Sequence, residues 1–244
     1  MEITLALIAA ILPALALLYF IYRKDSFRME PPRQILLACL YGMLSVPLSL
    51  VVSIPLLAIG AYDINAVTVG GYIRTSFFGA GLPEELAKLV MLWLFLRKCK
   101  YFDEWVDGIV YAACVGLGFA LVENVKYIFG NYDMWVLVGS LRALFAIPGH
   151  FFFAVIMGYF YSKASFGDPL QSKLNSALAL IVPMLLHAAF DSLLMISQIT
   201  ALSAAAISLF GGLYIFLAVK SRKFFLAHHQ LDKEAGVEPN DSIS

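Results

Sequence analysis

Residues 75–96 read TSFFGAGLPEELAKLVMLWLFL, an apolar stretch that contains two adjacent glutamates and a lysine. As a helix with a rise of about 1.5 Å per residue, the stretch is long enough to cross the roughly 30 Å hydrocarbon core of a bilayer. A charged side chain at the centre of such a helix costs roughly 2.5–3.5 kcal/mol on insertion scales. Glu84 and Glu85 therefore indicate either an internal ion pair with Lys88 or a site for chemistry.

Further apolar segments of similar length occur along the 244-residue chain, which is 61% hydrophobic, only 14% charged and has a mean hydropathy of +0.83. A soluble domain of this size carries about 25% charged residues. The sequence therefore predicts an all-α protein, a polytopic transmembrane helix bundle that forms one membrane-embedded domain over residues 1–225. The predicted spans, about seven, are 3–22, 35–60, 75–96, 107–129, 134–161, 176–197 and 200–219.

Three local features refine this prediction. The fifth segment is either one span over 134–161 or an interfacial helix followed by a span that starts near Pro148. Residues 226–244 are polar, and we expect them to form a disordered cytoplasmic tail. The three cysteines lack CxxC spacing, so they are expected to be small buried apolar residues without a disulfide or a metal.

The basic residues indicate an orientation in the membrane, because cytoplasmic loops carry an excess of lysine and arginine. The loops after the first, third, fifth and seventh spans contain Arg23, Lys24, Arg28, Arg33, Arg97, Lys98, Lys100, Lys163, Lys173, Lys220, Arg222, Lys223 and Lys233, whereas the opposite loops contain only Arg74. This distribution places the N-terminus outside and the C-terminus in the cytoplasm. The formal net charge of zero indicates no broad surface for nucleic acid.

Two polar residues, Glu123 and Asn124, interrupt the predicted span 107–129. They follow the sequence Gly116-Leu117-Gly118, whose small residues allow another helix to approach closely. Glu123 lies nearly two turns after Gly116 and therefore on nearly the same face. We expect the polar pair to face a neighbouring helix, either as a packing contact or as part of a site.

Histidines interrupt the two following segments. His150 comes just after Pro148, which disturbs or starts the helix there. His187 and Asp191 are separated by four residues and share a helix face, so the carboxylate is able to orient the imidazole or to join it as a ligand. Arg142 has two interpretations, an anion partner within the site or an interfacial residue that extends toward water.

These groups lie at a similar depth on four different predicted helices. Each is 13 to 16 residues from the charged residue at the cytoplasmic end of its span, in the pairs Glu84–Arg97, Asp107–Glu123, His150–Lys163 and Lys173–His187. At a rise of about 1.5 Å per residue these separations are roughly 20–24 Å, somewhat outside the bilayer midplane. Unrelated polar residues would have no reason to agree in depth, so the sequence predicts one shared, water-accessible site.

Two hydrolytic chemistries suit carboxylates and imidazoles in such a site. In the first, His150, His187 and a carboxylate, with Glu123 as the candidate, bind Zn²⁺ and another glutamate is the general base. In the second, no metal is present, a glutamate deprotonates water and the histidines stabilise the oxyanion. The HExxH motif is absent, so spacing alone does not decide between them. Nucleotide chemistry is disfavoured because no glycine-rich phosphate loop occurs.

In combination, four motifs resemble those of the PrsW family of bacterial intramembrane proteases, which is related to the CAAX prenyl proteases and bacteriocin-processing enzymes. The motifs are Glu84-Glu85-x-x-Lys88, Phe119-x-x-x-Glu123-Asn124, His150 and His187-x-x-x-Asp191. The resemblance implies catalytic roles for Glu84, Glu85 and His187, with further site roles for Lys88, Glu123, Asn124, His150 and Asp191. It also implies a multi-pass protein of the bacterial plasma membrane that cleaves a single-pass, membrane-anchored protein, such as an anti-sigma factor on its extracytoplasmic side.

A transporter is the rival class, because buried carboxylates and histidines also form proton or cation relays. An inverted repeat would favour a transporter. The segment around Glu84 and Glu85 does not resemble the segment around Glu123, and the histidine segments duplicate neither. The sequence therefore favours a protease that acts within the lipid bilayer.

Overall fold

The computed structural model describes residues 2–24 and 29–237, and regular secondary structure in this part of the chain is helical throughout. The α-helices are α1 (Glu2–Lys24), α2 (Pro32–Ala58), α3 (Val69–Thr75), α4 (Leu82–Leu96), α5 (Trp105–Gly130), α6 (Trp135–Leu141), α7 (Ile147–Phe166), α8 (Ser172–Ile196) and α9 (Ser203–Glu234). Two π-helical turns, Ser76–Gly81 and Arg142–Ala146, and a 3₁₀ turn, Tyr132–Met134, connect some of them. The predicted all-α, polytopic bundle is confirmed.

Helix α5 forms the centre of the bundle and is buried over most of its length. Glycine permits its closest contacts, as the sequence predicted. A Cβ atom at Gly118 would lie 2.1 Å from the carbonyl oxygen of Cys39 in α2, and one at Gly116 would lie 2.5 Å from the Cβ of Ala154 in α7. Because no side chain fits at these points, α2 and α7 pack directly on the backbone of the helix that carries Glu123.

Six helical segments within the described residues are long and apolar enough to cross a membrane, compared with about seven predicted spans. The difference lies at 75–96, where a π-helical turn over Ser76–Gly81 leaves α4 with only 15 residues. The chain is nevertheless helical without a break from α3 through this turn to the end of α4. Lys88 lies against Phe119 and Phe95 against Tyr111, so α4 runs antiparallel to α5.

The fifth predicted span is one continuous helical segment rather than an interfacial helix with a separate span, because the chain is helical from Tyr132 to Phe166. Pro148 lies in the first turn of α7 and has no N–H to donate. The carbonyl oxygen four residues earlier, on Leu144, instead accepts a hydrogen bond from the Tyr214 hydroxyl at 2.7 Å. The Tyr214 hydroxyl on α9 thus donates to a backbone carbonyl oxygen to which Pro148 cannot donate.

The loops that carry most of the basic residues gather at one end of the bundle. The Trp105 ring at the start of α5 contacts the Phe166 ring at the end of α7, with centroids 5.8 Å apart. The backbone N–H of Trp105 donates to Asp232 near the end of α9 at 2.7 Å. Arg74 lies elsewhere, in the last turn of α3, and its guanidinium donates to the carbonyl oxygen of Ala61 in the connection after α2. The grouping agrees with the alternation of charge in the sequence, although Arg28 lies outside the described residues.

The expectation of a disordered tail from residue 226 is wrong for residues 226–234, which continue α9 to Glu234. His228 and Asp232 are buried there. The Asp232 carboxylate accepts hydrogen bonds from the first backbone N–H groups of α5, at Trp105 and Val106. A helix N-terminus has unsatisfied N–H groups, and this carboxylate satisfies two of them. Residues 238–244 lie outside the described residues.

Candidate active site

The side chains predicted to form a site do converge inside the bundle. Four helices carry them: α4 carries Glu84, Glu85 and Lys88, α5 carries Glu123 and Asn124, α7 carries His150, and α8 carries His187 and Asp191. Short polar contacts connect them, directly or through Arg142, into one network. Residues distant in the sequence thus share one site because their helices pack side by side.

Glu85 forms the most enclosed part of the network, since its side chain is 0% exposed. Its Oε1 atom accepts a hydrogen bond from the Lys88 ammonium at 2.8 Å. The same oxygen lies 2.8 Å from Nδ1 of His187 and accepts from it when that nitrogen carries the proton. The tautomer defined by this hydrogen bond leaves Nε2 of His187 with a free lone pair. That nitrogen lies 3.9 Å from Glu84 Oε2 and 3.4 Å from Asp191 Oδ2.

His150 bridges two charged groups through its two ring nitrogens. Its Nδ1 lies 3.0 Å from the Lys88 ammonium, which has only donors, so this nitrogen is the acceptor. Its Nε2 then carries the proton and donates to Glu123 Oε2 at 3.1 Å. The guanidinium of Arg142 also donates to this carboxylate oxygen, at 3.0 Å, and to Oδ1 of Asn124 at 2.9 Å. Arg142 therefore faces the site as an anion partner, the first of its two predicted interpretations.

Asn124 connects this part of the site to α1, a helix that carries none of the predicted site residues. Its amide nitrogen donates to the carbonyl oxygen of Ala10 in α1 at 2.7 Å, while its oxygen accepts from Arg142. Both ends of the amide group are thereby satisfied at a residue that is completely buried. Asn124 acts by holding Arg142 in place rather than by facing the histidines.

Aromatic rings separate the network from the remaining apolar core. The Phe153 ring stacks on His187 with centroids 4.8 Å apart, and the Phe119 ring lies 5.4 Å from His150. The Lys88 ammonium also lies 4.1 Å from the centroid of Phe119, at the range of a cation–π interaction. These contacts restrict the orientations of both imidazoles and exclude water from one side of the lysine.

Three of the residues have the arrangement of a metal-binding group: Glu84, His150 and His187 bring one ligand atom each to within 4.8 Å of one another. Glu123, the predicted carboxylate ligand, instead bonds to His150 and Arg142. Glu84 Oε2 is buried and has no hydrogen-bond partner among the described residues. A buried oxygen without a partner is costly, and two imidazoles with one carboxylate are a ligand set that Zn²⁺ accepts. The residues therefore fit the metal that the sequence suggested, provided that His150 exchanges one of its two hydrogen bonds for the metal, since both of its ring nitrogens are engaged in this structure.

The local backbone explains how the ligands reach the interior. Each π-helical turn comes immediately before a proline-containing first turn, with Pro83 following one and Pro148 the other. Such turns are rare, concentrate at functional sites and change the rotation of the helix that follows. The two glutamates come directly after Pro83, and His150 comes two residues after Pro148. The sequence indicated the irregularity through its prolines but did not show the π-helical turns.

Asp191 marks the accessible edge of the site, since its side chain is 32% exposed whereas that of Glu84 is 12% exposed. Two further residues belong here: Arg142, which the sequence left with two interpretations, and Phe153, which sequence reasoning missed. The signal for Arg142 was its position eight residues before His150, which is two helical turns and the same face. Phe153 carried no comparable signal, because aromatic residues are frequent throughout this chain.

The fold and the site together define a class: a polytopic helical membrane protein with buried carboxylates and imidazoles on converging helices. A model of the family described as PrsW family intramembrane metalloprotease matches residues 30–220. Protease PrsW of Clostridioides difficile strain 630 is 37% identical over 193 residues, which cover 77% of this chain and 78% of that protein. Protease PrsW of Bacillus subtilis strain 168 is 36% identical over 187 residues, which cover 76% and 81%.

A third relative, Protease PrsW of Geobacillus kaustophilus strain HTA426, is 34% identical over 190 residues, which cover 78% of this chain and 80% of that protein. No solved structure matches the chain. The chain therefore belongs to the PrsW family of intramembrane proteases, as its motifs predicted. Family membership favours the protease over the transporter.

Proposed function

We propose that this protease hydrolyses a peptide bond of a single-pass membrane protein at a Zn²⁺ site formed by Glu84, His150 and His187. One observation carries the proposal: three residues from three helices bring their ligand atoms within 4.8 Å of one another. When bound, Zn²⁺ polarises the scissile carbonyl and activates water for attack. The family description, which specifies a metalloprotease, supports the same choice of chemistry.

The remaining groups position the ligands and receive the proton. Glu85 Oε1 accepts from Nδ1 of His187 and so directs Nε2 toward the ligand group, the usual role of a carboxylate behind a histidine ligand. Glu85 Oε2 is buried without a hydrogen-bond partner among the described residues. We assign this oxygen as the acceptor for the proton of the attacking water. Lys88 compensates the charge of Glu85 at 2.8 Å.

The location of the site supports a membrane-anchored substrate. Its residues lie inside a helical bundle whose α1 and α2 expose large aliphatic side chains, as expected for helices that contact lipid. A substrate that reaches such a site within the bilayer is itself a membrane-anchored protein. We propose an anti-sigma factor, cut on its extracytoplasmic side, as the substrate. The proposed orientation has the N-terminus outside and the C-terminus in the cytoplasm.

The metal content of the purified protein tests the ligand set. We expect wild-type protein to retain Zn²⁺ through purification, whereas Glu84→Gln and His187→Ala lose it. Glu85→Gln should keep the metal with affinity lowered by about 10–100-fold, because it acts behind a ligand. Asp133→Asn, which removes an exposed carboxylate, is the control and should bind as wild type does. Elemental analysis by mass spectrometry gives the ratio of metal to protein.

Cleavage of a single-pass membrane protein in proteoliposomes tests the reaction. We expect Glu84→Gln, Glu85→Gln and His187→Ala to abolish cleavage and Asp133→Asn to preserve it. Fully active protein free of Zn²⁺ and other transition metals would exclude the metal site and leave Glu84 or Glu85 as the base in a metal-free mechanism. Normal turnover by all three site variants would place the catalytic site elsewhere in the chain.

A further inference from the structure

A large cavity lies between α1, α7 and α9, on the side of α7 away from the candidate active site. Its volume is about 710 Å³, within the range of about 300–1,000 Å³ typical of ligand pockets. Its walls are mainly apolar and include Phe20, Phe151, Phe152, Val155, Phe225 and Leu226. Such walls suit a hydrocarbon chain rather than a polar metabolite.

Cationic side chains line the same cavity. Arg23 and Lys24 come from the last turn of α1, and Arg222 comes from α9. All three are exposed, and none forms an ion pair with a carboxylate in residues 2–24 and 29–237. His229 is also among the lining residues, and no aspartate or glutamate of the described residues lines the cavity. The cavity thus combines apolar walls with positive charge that no carboxylate of the described residues pairs with.

The cavity is separate from the active site although Phe151 directly follows His150 in the sequence. Neighbouring residues on an α-helix point about 100° apart. The His150 ring contacts groups on α4, α5 and α8, whereas Phe151 lines the cavity beside α1 and α9. A ligand in the cavity would therefore touch the helix that carries His150 without entering the site.

We propose that this cavity binds an anionic phospholipid of the surrounding membrane. Its phosphate pairs with Arg23, Lys24 and Arg222, and an acyl chain lies along the aromatic and aliphatic walls. Basic pockets between membrane helices bind anionic headgroups, and arginine makes paired hydrogen bonds to phosphate oxygens. The occupant is a lipid because one molecule then satisfies both the apolar walls and the cations.

Retention of lipid by the purified protein, measured by native mass spectrometry in detergent, tests the proposal. The probes are phosphatidylglycerol and phosphatidylcholine with identical acyl chains, and inorganic phosphate as a competitor. We expect wild-type protein to retain phosphatidylglycerol in preference to phosphatidylcholine. The double variant Lys24→Gln/Arg222→Gln should bind it about 30-fold more weakly, since each basic residue contributes a factor of about five.

A matched double variant, Lys220→Gln/Lys223→Gln, removes two charges from α9 at positions that do not line the cavity, and it should bind as wild type does. A second variant, Ala218→Phe, fills the cavity without changing charge and should also lose phosphatidylglycerol. Equal retention by the two double variants would overturn the proposal, as would full retention by Ala218→Phe. Equal binding of phosphatidylcholine, or displacement by inorganic phosphate alone, would overturn the choice of an anionic lipid.

Discussion

Two adjacent glutamates occupy different environments at the centre of this protein. Glu85 is fully buried and contacts both Lys88 and His187 at 2.8 Å. Glu84 is 3.6 Å from the same lysine, and its Oε2 has no hydrogen-bond partner among the described residues. Residues that follow one another on a helix point about 100° apart, so Glu85 reaches the lysine and Nδ1 of His187, whereas Glu84 lies nearer Nε2 of the same histidine. The pair therefore divides into a positioning carboxylate and a candidate ligand.

Lys88 is the residue whose loss should most strongly affect stability. Its ammonium is buried and contacts Glu85, Glu84 and His150. Lys88→Met leaves a buried carboxylate without its cation, which typically destabilises a protein by about 3–5 kcal/mol. We expect the free energy of unfolding in detergent to fall by this amount, measured by chemical denaturation.

The partner substitution provides the control for charge. In Lys88→Met/Glu85→Gln the buried carboxylate is neutral, so a large part of the lost stability should return. Lys126→Met, at an exposed position on α5, should change the stability by less than about 0.5 kcal/mol. A Lys88→Met protein as stable as wild type would contradict the role of Lys88 as the buried counter-ion.

Among the helices, α5 is the one whose packing depends most on glycine, which has no side chain. Its glycines allow the backbones of α2 and α7 to approach within a distance that excludes a Cβ atom. The close approach brings Glu123 on α5 within 3.1 Å of His150 on α7. The separation of α5 from its neighbours and the geometry of the site therefore both depend on these glycines.

Gly118→Ala tests this dependence. The added Cβ would lie 2.1 Å from the carbonyl oxygen of Cys39, a backbone atom that cannot move without shifting α2. Overpacking of this kind costs about 1–3 kcal/mol, so the midpoint of denaturation should fall. Gly130→Ala on the same helix meets no atom within 4 Å and should be neutral or slightly stabilising. Equal effects of the two substitutions would show that the close contact with α2 is unimportant.

The π-helical turns are the second feature at the scale of elements. Arg142 begins one of them and reaches Glu123, while His150 follows in α7 and reaches the same carboxylate. A regular helix places side chains separated by eight residues on similar faces, and the intervening π-helical turn adjusts their rotation. Both residues thereby meet one carboxylate oxygen from the same helical segment.

For the whole molecule, the grouping of the basic loops at one end supports a definite topology. The loop before α5 contacts the end of α7, and the end of α9 bonds to the start of α5. The positive-inside rule predicts that this end lies in the cytoplasm. Reporter fusions after Lys100 and after Lys173 should both report the cytoplasm. An extracytoplasmic signal from either fusion would contradict the orientation.

Much of this organisation could be predicted from the sequence, because the cost of burying charge acts on single residues. A carboxylate or imidazole in an apolar segment requires a compensating partner wherever it lies. The similar depths of Glu84, Glu123, His150 and His187 therefore predicted a shared site, and the four helices do bring them together. The same reasoning could not foresee the ordered helix over residues 226–234, because its polar residues are satisfied by contacts with α5.

By itself, the sequence determined the helical membrane bundle, the polar residues that enter its interior and the family to which the chain belongs. Only the tertiary structure decided which of these residues are partners. Glu84, rather than Glu123, lies with the two histidines, and Arg142 turns inward to Glu123. These assignments depend on the rotation and separation of neighbouring helices. Both are set by glycine contacts between distant segments and by local π-helical turns. No residue spacing within one segment specifies them.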